Sequence, residues 1–556
     1  MKNLELPIWD LTDFYPSSDS KEFKDDISLL DSEVVNFCKK YKGKISRVEI
    51  KKIDKVVSEY EKIEELIVKI KSYIFLFHCT DQLDPKKTIF YQKTQEKVNQ
   101  IESKLIFFTL EINKLNQTKL NKSFKSKYLS WINIQRQFKK YQKNESIEKL
   151  LIDKSTTSSN AWIRLFDETM ARLRFDFNGK KLNETEVLDL LSSSDASKRE
   201  QAAEVFGKTL KDNIHLFSII TNTLSKDLQI ENSLRGFKSC DSSRHLSNQV
   251  DPEDVDCLVK TVKKNYADLS HRYYKYKAKV FNVKRLNFWD RNAPYPKAKN
   301  FKISWIEAKE IVLNAYFDFD ERIGEIAKLF FEKSWIHAKP QNGKTSGAFS
   351  HPTVPSCHPY ILLNFQGKTR DVMTLAHELG HGVHQFLANK QGLLLADTPL
   401  TLAETASVFG EMLTFKSLLK SSKDNKEKIT LLRSKIEDML NTVFRQISFF
   451  IFERNVHAKR RESELTDDDI TEIWMSTQKE SLGNSIKLTK DYNYFWAYIP
   501  HFIHSPFYVY AYAFGDCLVN SLYSKYEESP KSFNEKYFNL LKSGGSKNYQ
   551  VLLTIS

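Results

Sequence analysis

Hydrophobic positions in the first part of the chain recur at spacings of three and four. One stripe runs Ile53, Val56, Tyr60, Ile63, Ile67, Ile70, Ile74 and Phe77, and a second runs Val98, Ile101, Leu105, Phe108, Ile112 and Leu115. Such spacing keeps each stripe on one helix face, which predicts two long amphipathic helices in series. Between them, Asp81 to Lys86 holds Asp84-Pro85, a turn followed by a new helix start, so the pair reads as a helical hairpin. The helical pattern continues with polar breaks through residues 120–180 and resumes over 198–280. The polar run Ser192 to Asp195 is read as a boundary between an N-terminal helical lobe, 1–190, and a second domain, 191–556. Pro294 and Pro296 make the stretch from Asn287 to Ile303 irregular. From Lys339 to Gly367 the texture changes to Gly343, Gly347, Pro352, Pro355 and Pro359 with the apolar run Tyr360–Leu363, which predicts short strands and loops.

Composition sharpens this picture. Only 16 Gly and 14 Pro occur in 556 residues, and scarcity of the residues that punctuate turns favours long helices. The fold expected is therefore mostly α. The formal net charge of +14 raises the question of a nucleic-acid partner. The lysines are spread along the chain among Glu and Asp and form no basic tail, so they read as solvated helix faces and no nucleic acid is expected. Cys38, Cys79, Cys240, Cys257, Cys357 and Cys517 form no C-x-x-C pair and no disulfide framework. The opening residues contain no apolar signal region, and no apolar run is long enough to span a bilayer. A cytoplasmic protein without membrane contact is the expectation.

The chemistry concentrates at residues 377–381, His-Glu-Leu-Gly-His. Val372, Leu375, Ala376, Leu379, Val383 and Phe386 place this segment on an amphipathic helix, so His377 and His381 project from one face and can share one metal ion. Glu378 then lies beside the metal as a general base. Three protein ligands on Zn²⁺ leave a fourth position open for water, whose pKa the ion lowers toward neutrality. In the metzincin pattern a third His follows at a fixed offset, but Leu387 stands there. Glu404 is the better candidate for the third ligand. It follows Thr398-Pro399, an expected helix start, and shares one face with Ser407 and Glu411, so Glu411 can orient a ligand histidine from behind. Tyr508, Tyr510 and Tyr512 alternate with Val509 and Ala511, a pattern open to a strand or an aromatic helix face.

His377-Glu-Leu-Gly-His381 followed by Glu404-Thr-Ala-Ser-Val-Phe-Gly-Glu411 resembles the thimet-oligopeptidase-type zinc peptidases, and within them oligoendopeptidase F. Pro7-Ile-Trp-Asp-Leu-Thr-Asp-Phe-Tyr-Pro16, Trp162-Ile-Arg-Leu-Phe-Asp-Glu-Thr-Met170 and the segment Ile499 to Gly515 are similar to other parts of that family. The resemblance implies a two-lobed helical zincin with a deep cleft and a small β-sheet beside the active site. It implies one zinc per chain on His377, His381 and Glu404, with residues 191–556 as the catalytic domain. It also implies that Gly347, Ala348 and Phe349, within Ser346–Ser350, form an edge strand that pairs with substrate backbone. His501, Tyr508 and Tyr512 become the candidate donors to a tetrahedral oxyanion. Family members usually continue some tens of residues beyond Gly544-Gly545-Ser546, so a closing helical segment is expected to be absent.

The function expected is hydrolysis of internal bonds of oligopeptides by a monomer or weak homo-oligomer. A carboxypeptidase or dipeptidase with the same metal core is one alternative. A non-catalytic protein is another: a peptide binder is disfavoured by the intact metal and base residues, and a nucleic-acid binder by the scattered lysines without an aromatic-basic stripe.

Overall fold

The computed structural model describes residues 6–118, 120, 126–295, 302–398, 400–422 and 424–547. The described chain is mostly helical and divides into two compact units. The first comprises residues 1–150, 300–421 and 518–556, and the second comprises 151–299 and 422–517. Each unit is therefore assembled from separate stretches of sequence, and the division at 190/191 does not coincide with it. The polar run at 192–195 is a capping turn inside the second unit, where the Asp195 side chain accepts from the Ser197 N–H at the start of helix Ala196–Asp212.

In the first unit, α1 (Lys21–Tyr41), α2 (Ile53–Cys79) and α3 (Pro85–Glu102) pack together. Asp84 caps α3 by accepting the Lys86 N–H at 2.8 Å, with Pro85 at its first position. All the residues of the first stripe from Ile53 to Ile74 are buried. The second stripe is also buried throughout, from Val98 to Leu115, but it is not one helix. A 3₁₀ turn at Ser103–Leu105 separates α3 from the helix Ile106–Ile112. Spacing reports which face is buried and is blind to a local tightening of the backbone that keeps the face in register.

Two further helices, α4 (Trp305–Phe319) and α5 (Glu321–Glu332), lead into a three-stranded sheet. Its strands are β1 (Ile336–His337), β2 (Phe349–His351) and β3 (Tyr360–Leu362), in the order β1-β3-β2. β1 runs parallel to β3, and β2 runs antiparallel to it with Phe349 opposite Leu362 and His351 opposite Tyr360. The N-terminal stretch is tied to this sheet. The Trp9 indole N–H donates to the Ile361 carbonyl at 2.9 Å, and the Ala338 N–H to the Pro7 carbonyl at 2.9 Å. The chain then enters α6 (Thr369–Ala388) and α7 (Leu400–Ser421), and α8 (Pro530–Ser543) packs against α6.

The second unit is built on helices Ala196–Asp212, Ile214–Arg235, Gln446–Glu462 and Asp467–Leu482. Phe206, Phe217, Phe450, Phe452 and Trp474 form part of its core. It carries two minor strand pairs, 175–177 with 180–182 and 286–287 with 486–487. Of the irregular stretch expected at 287–303, residues 288–290 form a 3₁₀ turn, while 296–301 lie outside the described residues. Pro399 also lies outside them. The described cysteines are all free thiols, and among the described residues no helix is long and apolar enough to cross a membrane.

Candidate metal centre and active site

Helices α6 and α7 approach closely because small residues stand where they meet. A Cβ on Gly380 would lie 2.5 Å from the Ala406 carbonyl oxygen and 2.8 Å from the Ser407 Cα. A Cβ on Gly410 would collide with the Tyr316 hydroxyl, which itself donates to the Ala376 carbonyl at 2.8 Å. The apolar face of α6, with Val372, Leu375, Ala376, Leu379 and Val383, is fully buried. That fixes its rotation and turns His377 and His381 toward α7.

The consequence is a convergent donor set. Nε2 of His377 lies 3.6 Å from Oε2 of Glu404, and Nε2 of His381 lies 3.8 Å from the same oxygen. The three ligand atoms all lie within 4.8 Å of one another. A tetrahedral zinc ion with bonds of about 2.0–2.2 Å separates its ligand atoms by about 3.3–3.6 Å; the donors present fit such an ion in type, and the two histidine–Glu404 separations lie at or just above the upper end of that range. Each is oriented from behind. Nδ1 of His377 meets Oε1 of Glu411 at 2.5 Å, the His381 ring is hydrogen-bonded to the Ala403 carbonyl, and the Ser407 hydroxyl donates to Oε2 of Glu404 at 3.2 Å.

Electrostatics follow from this crowding of charge in a buried place. Burial works against a charged His377, but the hydrogen bond and charge of Glu411, backed by Glu378 and Glu404, hold its pKa up at about 10. Burial lowers His381 to about 3, and the neighbouring His377 adds to the effect. Burial raises Glu378 to about 7 against the pull of His377, with Glu404 and Glu411 adding to the rise.

Glu378 is buried beside the donors and accepts the Ser350 N–H from β2. Ser350 is also locked to α6 through Gln385: its hydroxyl donates to the Gln385 side-chain oxygen at 2.8 Å, and the Gln385 amide donates to the Ser350 carbonyl at 3.3 Å. Of the residues expected on the edge strand, Phe349 lies on β2, which is an edge of the sheet. Gly347 and Ala348 lie just ahead of it, and Gly347 has φ +77°, a backbone suited to glycine.

His501, Tyr508 and Tyr512 belong to the second unit and cluster with one another. His501 Nε2 and the Tyr512 hydroxyl are 3.1 Å apart, and the Tyr508 ring stacks on His501 with centroids 5.9 Å apart. Burial holds His501 below its ordinary pKa. The alternating tyrosines are not a strand: Tyr510 and Tyr512 begin the helix Tyr510–Glu528. Tyr510 is fully buried and bonds His245 and Asn248. Sequence reasoning missed the Ala403 carbonyl, Ser350 as the partner of Glu378, and Gly380 as the contact between the two motif helices. Only the last left a signal, a glycine inside a helical pattern.

Comparison with known proteins agrees with this geometry. The model of peptidase family M3 matches residues 189–555, and that of oligopeptidase F matches 111–175. The chain is 28% identical over 97% of its length to oligopeptidase PepF of Bacillus subtilis, covering 81% of that protein. It is likewise 28% identical over 97% of its length to an oligoendopeptidase F homolog of Borreliella burgdorferi, covering 92% of it. The crystal structure of oligoendopeptidase-F from Enterococcus faecium shares the fold, with a TM-score of 0.72 at 20% identity over 97% of this chain and 94% of that one. With the M3 match spanning more than half of the sequence, the chain belongs to peptidase family M3, as a metalloendopeptidase of the oligoendopeptidase F group.

Proposed function

We propose that this peptidase is a zinc-dependent endopeptidase that hydrolyses internal bonds of oligopeptides, with His377, His381 and Glu404 holding one zinc ion. The observation that carries the reading is the convergence of both histidine Nε2 atoms on one Glu404 oxygen, at 3.6 and 3.8 Å, with the Glu378 carboxylate buried next to them. When bound, zinc supplies Lewis-acid polarisation of a carbonyl and acidifies water. Glu378 takes the proton of the attacking water at its carboxylate and delivers it to the leaving amine. The Ser350 N–H holds that carboxylate in place. Backbone groups of Gly347, Ala348 and Phe349 pair with an extended substrate, which gives affinity with little demand on side chains. His501, Tyr508 and Tyr512 donate to the oxyanion. Free thiols suit a reducing compartment, which supports action in the cytoplasm.

The Glu378→Gln variant tests the assignment. It should bind zinc as the parent does and lose turnover of a peptide blocked at both ends by more than about a hundredfold. Retained turnover would overturn Glu378 as the base, and failure of the parent to cut a doubly blocked peptide would overturn endopeptidase action.

A further inference from the structure

The segment carrying Tyr508 contains a residue of strained backbone, Phe507, whose preceding peptide bond is held at both ends. Ser505, Pro506, Phe507 and Tyr508 form a turn closed by the Tyr508 N–H on the Ser505 carbonyl at 3.0 Å. Pro506 occupies its second position, and Phe507, with φ +61°, its third. This is the pattern of a type II turn, whose third position calls for glycine or asparagine because φ is positive. A bulky aromatic there is an outlier that persists only when its surroundings enforce it.

Two side chains supply that enforcement. The carbonyl of Pro506 accepts from Nε of Arg244 at 3.1 Å. The N–H on the other side of the same peptide bond, that of Phe507, donates to Oε1 of Glu453 at 2.8 Å. Rotating this peptide by half a turn would convert the turn to the commoner kind and relieve Phe507, but would take the carbonyl away from the Arg244 guanidinium and point the N–H at it instead, a group with no acceptor to offer. Glu453 is 2% exposed, and its other oxygen has no hydrogen-bond partner among the described residues. A carboxyl buried for a single backbone N–H is costly unless that bond does something. Phe507 is pressed against Phe450 and His457, and the next turn is anchored by Tyr510 on His245 and Asn248.

We propose that Arg244 and Glu453 are positioning residues of the peptidase. By holding the two ends of the Pro506–Phe507 peptide they keep Phe507 left-handed and so aim Tyr508 beside His501 and Tyr512. The inference rests on the reading of Tyr508 as an oxyanion donor. A flipped peptide would leave the fold in place and move the donor, so the loss falls on the transition state rather than on substrate binding.

The test compares Glu453→Leu, which removes the acceptor at similar size, with Glu453→Gln, which keeps it. Glu453→Leu should lower kcat by about tenfold or more with KM and zinc content near those of the parent, and Glu453→Gln should restore kcat. Arg244→Met should act in the same direction as Glu453→Leu, which keeps the test available if the leucine variant folds poorly. Amide hydrogen exchange over residues 505–509 should be slow in the parent and in Glu453→Gln and fast in Glu453→Leu. Unchanged exchange and kcat in both Glu453→Leu and Arg244→Met would overturn the proposal. In a Tyr508→Phe background, Glu453→Leu should add little further loss of kcat, and full additivity would also overturn it. Full activity of Tyr508→Phe alone, with the exchange pattern as expected, would instead remove Tyr508 as the donor and leave the pinned peptide standing.

Discussion

Nδ1 of His377 lies 2.5 Å from Oε1 of Glu411, across the contact between α6 and α7. This pairing decides which nitrogen is left for a metal, because it commits Nδ1 to the carboxylate and leaves Nε2 facing Glu404 at 3.6 Å. The same helix face therefore supplies one carboxylate to the donor set and a second to hold a donor in its tautomer.

Replacing Glu411 by alanine should weaken zinc affinity by about 10- to 100-fold without unfolding the protein, because the His377 ring loses both its anchor and the charge that raises its basicity. Competition against a chelating indicator measures this directly. An affinity equal to the parent's would mean that Glu411 only fills space between the helices.

Gly380 offers a test in which two physical effects have opposite signs. Alanine is the better helix former by about 1 kcal/mol, so propensity alone makes Gly380→Ala stabilising. The added Cβ would sit 2.5 Å from the Ala406 carbonyl, which is backbone and cannot swing aside. Helix α7 must then move and carry Glu404 with it. Lower melting temperature together with weaker zinc binding is the expected result. A rise in melting temperature with intact zinc binding would show that the helices have slack.

How far these features could be read from the sequence depends on what each one encodes. The stripes at 53–77 and 98–115 were legible because burial is periodic. The break at 103–105 was not, since a 3₁₀ turn preserves which face is buried. His377, Glu378 and His381 were legible because one helix sets their spacing. Glu404 and Glu411 stood out as carboxylates on one face of an expected helix and through the family resemblance of the segment they bound. The Ala403 carbonyl and the Ser350 N–H carry no side-chain signature at all, because any residue could supply them. The compact units escaped the reading for a related reason. Residues 1–150 and 300–421 share one core although 149 residues separate them, and composition along the chain says nothing about which distant stretch completes a core.

The proposed role of His501, Tyr508 and Tyr512 as oxyanion donors predicts a characteristic split in kinetics. His501, Tyr508 and Tyr512 touch one another through ring contacts and a 3.1 Å bond between His501 and Tyr512. Groups that meet the oxyanion only in the transition state affect kcat more than KM. Tyr512→Phe and His501→Ala should each lower kcat by about 10- to 1,000-fold with KM little changed, read from steady-state rates on a quenched peptide. An increase in KM at constant kcat would assign these residues to substrate binding instead.

Glu453 also predicts how the stability of its own unit responds to pH. Burial raises its carboxyl from an ordinary 4.5 to about 8, against the Phe507 N–H and Arg244, while Asp241 adds to the rise. Between these two values the folded protein holds a proton that the unfolded chain releases. The stabilisation linked to that proton is complete below 4.5 and is lost as pH rises through about 8. Inside the window, one such group lowers stability by at most about 1.4 kcal/mol per pH unit. His457, one turn further along the same helix, is lowered by burial to about 4 and works in the opposite direction on the acid side, so total stability alone would not isolate Glu453. The difference between the parent and Glu453→Gln does, because His457, Arg244 and Asp241 are common to both. Denaturant unfolding at several pH values between about 5 and 8 should show the glutamine variant gaining on the parent steadily as pH rises. A difference that stays constant across that range would mean that Glu453 is already ionised in the folded protein.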